Sequence, residues 1–311
     1  MALATIPSSI GTWSFNPIIT SFPSTILPNV QYWNVSNGTW EYQVQVSYPL
    51  NWTSANVDNA SVNTLYVLDG NALAQTATEA FRKRRPVESN MPDWLVVSIG
   101  YPNLLPDSPY STGRFNDYQP SVCATCPPPP VPGPAFPSNG DNFITFLDDV
   151  LRPWIRNSLF PTVDFKRDGF YGHSFAGLFV LYSLLVRPDL FDVFLSASPA
   201  LDWNNEYLFT QLAPFKAKSP PNSTVQPALQ LSYGQYEQFP LKRRTETQAE
   251  YQERKTFWGS LKMTTNSNRF YNELKNSKQL RDFDLNVYPR SAHAAVASAA
   301  LCDGIDYFLD W

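Results

Sequence analysis

The chain has 311 residues, 43% of them hydrophobic, and a formal net charge of −4. That length suffices for one large α/β domain with a sizeable core, and the acidic balance excludes a broad basic face for a nucleic-acid backbone. The apolar runs are too short and too interrupted to span a bilayer, and Met1-Ala-Leu-Ala-Thr-Ile-Pro7 lacks the basic start and continuous apolar stretch of a secretory signal.

The expectation is a soluble cytoplasmic protein with neither nucleic acid nor membrane as partner. Sequons at Asn34, Asn37, Asn51, Asn59 and Asn222 would suit a secreted glycoprotein, although Asn, Ser and Thr are also ordinary turn residues. The cysteines, Cys123, Cys126 and Cys302, are too few and odd in number for a disulfide framework. Cys123-x-x-Cys126 has no second pair and no nearby histidine, so a zinc site is not expected.

In chain order, the first 35 residues or so carry Pro and Ser with few periodic apolar positions and read as an extended arm. Residues 39–48 alternate, with Trp40, Tyr42, Val44 and Val46 on one face, as an antiparallel strand near a sheet edge would. The apolar runs 65–68 and 94–99 read as strands covered on both faces, each ending in a turn, Asp69-Gly70-Asn71 and Gly100-Tyr101-Pro102. A segment without periodicity follows, at about 101–138, rich in proline, and reads as a loop or lid inserted at the binding edge. Residues 142–155 have helical spacing. Later strands are expected at 191–195, 228–233 and 284–288, a solvated charged excursion at 242–255, and helical character at 270–280 and 294–309. Strands alternating with helices predict a single α/β domain over 1–311, with a mainly parallel central sheet flanked by helices.

The most informative stretch is Gly172-His-Ser-Phe-Ala-Gly177, which joins a short strand-like run to a strongly apolar helix. Small residues around a serine at such a junction form a nucleophile elbow, which lifts a hydroxyl above the sheet edge. A serine hydroxyl needs a base, and the chain has only two histidines. His173, adjacent to Ser174, should project away from the hydroxyl and pack behind the turn. His293, between the last strand and the last helix, is left as the base. The acid must lie between Ser174 and His293 on the same sheet edge, which Glu237 satisfies, with Asp202 as runner-up. Asp282 and Asp284 stand at the opposite end of their strand. The amide N–H of Phe175 and that of Asn71 are the expected donors to the oxyanion.

Tyr66-Val-Leu-Asp-Gly-Asn-Ala72, Arg114-Phe-Asn-Asp-Tyr-Gln-Pro120, Gly172-His-Ser-Phe-Ala-Gly177, Ser198-Pro-Ala-Leu-Asp-Trp203, Gly234 to Glu237 and the His293 loop resemble successive motifs of the esterase-D-like α/β-hydrolases. The branch they resemble most is that of the siderophore esterases, which includes enterobactin-type trilactone and triacetylfusarinine C esterases. The resemblance implies an α/β-hydrolase fold and a serine esterase without metal or organic cofactor. Its substrate would be a small-molecule ester, most plausibly a cyclic hydroxamate siderophore triester, with general carboxylester hydrolysis or a non-catalytic binding protein on a hydrolase scaffold as alternatives. It implies Ser174, Glu237 and His293 as the triad, Asn71 and Phe175 as amide donors, and Arg114 and Trp203 as substrate-binding residues. From the residues alone, Arg114 has an alternative role, pairing with Asp117 to hold its loop. Ala176 stands where the strict elbow pattern has glycine.

Overall fold

The computed structural model describes residues 7–19, 28–53, 57–88, 90–122, 137–220 and 225–310. Cys123, Cys126, Asn222 and residues 123–136 of the proline-rich segment lie outside the described residues; Cys302 is half-exposed. The chain divides into two compact units, one of Met1–Asp117, Asn139–Phe170 and Leu309–Trp311, the other of Tyr118–Ser138 and Tyr171–Phe308.

In the first unit, β1 (Ser8–Ile10), β2 (Trp13–Ile19), β3 (Val30–Ser36) and β4 (Glu41–Ser47) pair antiparallel in sequence order. β4 also pairs antiparallel with β6 (Asp93–Gly100), which lies parallel to β5 (Ser61–Leu68). Every residue of β5 and β6 after the first is buried, as their unbroken apolar runs require. α1 (Gly70–Arg84) connects them, starting directly in the expected Asp69-Gly70-Asn71 turn.

The alternating strand is not at the sheet edge, because β3 and β6 flank it, and the supposed arm supplies three further strands. Phe15, Trp33 and Val35 are wholly buried in those strands, and Trp154 stacks on Phe15 at 4.2 Å and meets Trp33 edge-on at 5.0 Å. Pro17 obscured this alternation; β2 accommodates it beside a register irregularity, where a missing N–H is tolerated.

The helix expected at 142–155 forms as α3 (Gly140–Thr145) and α4 (Arg152–Trp154), separated and followed by π-helical turns at Phe146–Leu151 and Ile155–Leu159. Pro153 has no N–H for the helical ladder, and a locally widened turn is one way to absorb that loss. Phe143 and Phe146 contact Tyr42 at 5.2 and 4.6 Å, securing this helix to β4. The short α2 (Arg114–Asp117) lies in the loop after β6.

β7 (Asp164–His173) ends at the elbow, and α5 (Phe175–Val186) leaves it. Ala176 to Leu185 are all buried, which fits a helix hydrophobic on every side. β8 (Val193–Ala197), β9 (Ala228–Gly234) and β10 (Asp282–Tyr288) pair parallel in that order. Between β8 and β9 come α6 (Trp203–Glu206) and α7 (Leu212–Ala217); between β9 and β10 come α8 (Gln248–Ser260) and α9 (Met263–Leu274); α10 (His293–Leu309) closes the chain. Parallel strands alternating with helices, led in by antiparallel strands, form the α/β-hydrolase arrangement the motifs imply. Among the described residues no helix is long and apolar enough to cross a membrane.

Candidate active site

The elbow is built by close approach of backbone. Ser174 has φ 61 and ψ −118, a conformation costly for a residue with a side chain and characteristic of over-determined functional turns. Its N–H donates to Ala197 O at 2.9 Å, and its carbonyl accepts from Leu178 N at 3.0 Å and Ala200 N at 3.1 Å. A methyl group at Gly172 would collide with the Ala176 carbonyl, and one at Gly177 would lie 2.7 Å from Ala197 O. The glycine at 177 therefore permits the contact of α5 with the end of β8, while Ala176, wholly buried, fits where the strict motif has glycine. Phe175 opens α5, so its N–H lies at the positive end of the helix.

Glu237, only 1% exposed, stands in the turn after β9. Its Oε2 accepts from His293 Nδ1 at 2.7 Å, and its Oε1 accepts from Ser198 Oγ at 2.6 Å and from Gly234 N at 2.5 Å. Three donors thus hold a buried carboxylate, and the bond to Nδ1 leaves Nε2 of a neutral His293 as a proton acceptor. Ser198 is itself held in the left-handed region, φ 44, by the bond from its N–H to Ser232 O at 2.7 Å. Tyr236 N donates to Ser291 O at 2.9 Å, joining the acid's turn to the histidine's loop. A Cβ at Gly234 would sit 2.5 Å from Ser291 O, so only glycine allows the two loops to approach this closely.

His173 takes the packing and hydrogen-bonding role expected of it, and its partner is His293. Its Nε2–H donates to the His293 carbonyl at 3.0 Å, and the two rings lie 4.5 Å apart. On the other element facing this histidine, the Trp258 ring of α8 is 5.2 Å from that of His293. Sequence reasoning assigned nothing to Ser198 or Trp258. Ser198 stood in a quoted motif without a role, and Trp258 followed a charged run that reads as solvated surface.

Asp202, the alternative acid, stands just before α6 without a side-chain capping bond and is half-buried; burial raises its carboxyl pKa. His293 Nδ1 is bonded to Glu237 instead. Trp203, in the same segment, lies half-buried, its ring 6.0 Å from that of Tyr207. It is followed by Asn204, Asn205 and Glu206, all at positive φ, and Glu206 is held there by Lys262 and Arg269, each at 2.8 Å. Asp282 and Asp284 begin β10 as expected and accept from Tyr307 OH and Gln230 Nε2.

In the first unit, Asn71 is the second residue of α1, where backbone N–H groups precede the start of the helical ladder. Its side chain is committed to Tyr101, accepting from Tyr101 N at 2.8 Å and donating to Tyr101 O at 3.2 Å, so any oxyanion role falls to its backbone N–H. Arg114 forms a bidentate pair with buried Asp69, Nε to Oδ1 at 3.0 Å and Nη2 to Oδ2 at 2.9 Å. Its alternative partner is thereby corrected from Asp117 to Asp69. Asp117 instead accepts from Tyr101 OH at 2.9 Å and Asn139 Nδ2 at 2.6 Å, and burial pushes its carboxyl up to about 6 against those bonds. The Arg114 guanidinium also lies 5.0 Å from the Tyr110 ring centre.

A family model described as "Putative esterase" matches residues 36–284. The siderophore enterobactin esterase of Emericella nidulans is 34% identical over 94% of this chain and 96% of its own length. The siderophore triacetylfusarinine C esterase of Aspergillus fumigatus is 30% identical over 92% of this chain and 95% of its own. Among solved structures, the siderophore hydrolase EstA from Aspergillus nidulans superimposes with a TM-score of 0.84, at 34% identity over 93% of this chain and 96% of that one.

Proposed function

Because the chain belongs to this esterase family and is a carboxylic-ester hydrolase, we propose that it opens the ester bonds of a siderophore with Ser174 as nucleophile. The observation that carries the catalytic assignment is the buried Glu237 to His293 hydrogen bond in the unit that also holds the elbow. His293 Nε2 takes the Ser174 proton as Oγ adds to the ester carbonyl. The Phe175 N–H donates to the resulting oxyanion. Collapse breaks the bond to the alcohol oxygen, which leaves with the proton from His293. Water, deprotonated by the same nitrogen, then releases the acid and restores Ser174. Glu237 holds the Nδ1–H tautomer and stabilises the imidazolium without being consumed.

For the substrate, we favour a cyclic hydroxamate triester of the triacetylfusarinine C type. Its ferric complex carries little net charge, because three hydroxamate anions balance the iron, and this suits an acidic chain of net charge −4. An enterobactin-type trilactone is the second reading, favoured by the 34% identity to an enterobactin esterase. The test incubates purified protein with ferric and iron-free forms of both compounds and follows linear products by mass spectrometry, with Ser174→Ala as control. Faster hydrolysis of the trilactone would reverse the order of the two. Hydrolysis of aryl acetates alone would leave a general carboxylesterase, and no hydrolysis of any ester would leave a binding protein.

A further inference from the structure

α8 spans 13 residues and none of them is buried, so this helix is not held by an apolar face. Its fixings are polar. Thr247 and Glu250 form a capping box, Arg254 Nη2 donates to Glu246 Oε2 at 2.8 Å, and Tyr251 OH donates to Pro240 O at 3.1 Å. Yet the same excursion carries exposed apolar side chains, Phe239 at 58%, Leu241 at 59% and Phe257 at 55%. Phe257 meets Trp258 edge-on at 5.2 Å, and Trp258 in turn lies 5.2 Å from the His293 ring. Trp258 is half-buried beside His293 and Phe257 next to it is exposed, an aromatic surface that a bound ligand would cover.

Which half of the ester covers it follows from the chemistry. His293 delivers its proton to the departing alcohol oxygen, so that half of the substrate must lie against the imidazole. From this, and resting on the ester-hydrolase reading above, the geometry points to Trp258, backed by Phe257, as the specificity-determining wall for the alcohol half of the ester. It selects alcohols with a large, flat or apolar body, such as the hydroxyacyl arm of a siderophore. The acyl half stays bonded to Ser174 Oγ while the alcohol departs, and its preference is set elsewhere.

The test uses Trp258→Ala and Trp258→Phe, each checked for wild-type circular dichroism and melting, on two series of simple esters. In one, the acetyl group is constant and the alcohol runs from ethyl through benzyl to naphthylmethyl; in the other, benzyl alcohol is constant and the acyl chain lengthens. Trp258→Ala should lower the naphthylmethyl-to-ethyl ratio of kcat/KM by about tenfold or more, the range one apolar contact supplies, while the acyl ranking is preserved. Trp258→Phe should recover most of that ratio. Equal losses on all esters, or a changed acyl ranking with an unchanged alcohol ranking, would overturn the inference. If no siderophore is cleaved but the alcohol ratio collapses, the substrate reading fails and this inference stands. If siderophores are cleaved and the ratio is unmoved, the inference alone falls. A wild type inactive on every ester sinks both.

Discussion

Glu237→Gln is a sharper test of the triad than its conservative appearance suggests. An amide has one acceptor and one donor end, whereas Glu237 uses both oxygens as acceptors. At the Oε1 position stands Gly234 N–H, 2.5 Å away, which can only donate, so the glutamine oxygen must stay there. Its NH2 is then forced toward His293 Nδ1, 2.7 Å away in the wild type. Two donors cannot share that contact, so the ring carries its proton on Nε2 and can no longer accept one from Ser174. Inverting the tautomer in this way costs about 10⁴-fold in kcat in a serine-protease triad, or about 5 kcal/mol of transition-state stabilisation. The substitution should therefore cripple turnover of a chromogenic ester while leaving the melting temperature near wild type, and imidazole ¹⁵N shifts should report the changed tautomer. A variant within about tenfold of wild type would refute the argument, above all if Asp202→Asn abolished activity instead.

Other substitutions separate chemistry from support. Ser174→Ala should fold and lose hydrolysis by several orders of magnitude, and mass spectrometry of protein treated with an organophosphonate should map the label to Ser174; a label on another serine would reassign the nucleophile. Arg114→Ala should remove the bidentate partner of the Asp69 carboxylate, whose side chain is 2% exposed, and cost about 3–5 kcal/mol in urea unfolding. A loss below about 1 kcal/mol, together with a selective fall in siderophore turnover, would return Arg114 to a ligand-binding role. Asp117 holds its proton more tightly folded, at about 6, than unfolded, near 3.8, so its contribution is full below the lower value and is lost as pH rises through the upper one. Asp117→Asn should therefore gain stability relative to wild type by about 2 kcal/mol on going from about pH 4 to 7, and parallel stability curves would contradict this.

The parts legible in the sequence are those that local spacing dictates. β4 declared itself by alternation, β5 and β6 by unbroken apolar runs, and the elbow by glycines placed where α5 and β8 press on the turn. Glu237 could be placed because the sheet edge restricts where an acid may stand. By contrast, β1 to β3 were hidden by Pro and Ser, which weaken local strand signals even when Trp33 and Val35 are wholly buried. The pairing of Arg114 with Asp69 spans 45 positions. The Ser198 bond to Glu237 depends on how Ser198 N meets Ser232 O at the end of β9. Neither leaves a periodic trace. The excursion at 242–255 was rightly read as solvated, but a charged run gives no sign that the tryptophan after it turns toward His293.

The contact between His173 and His293 has an experimental use, because these are the chain's only histidines. Every imidazole resonance, every adduct of a histidine-directed reagent and every histidine hydrogen–deuterium exchange rate comes from one spot in the molecule, without labelling or mutagenesis. The imidazole resonances of the unmodified protein would therefore report two rings in contact, one with its Nε2–H fixed on the carbonyl of the other.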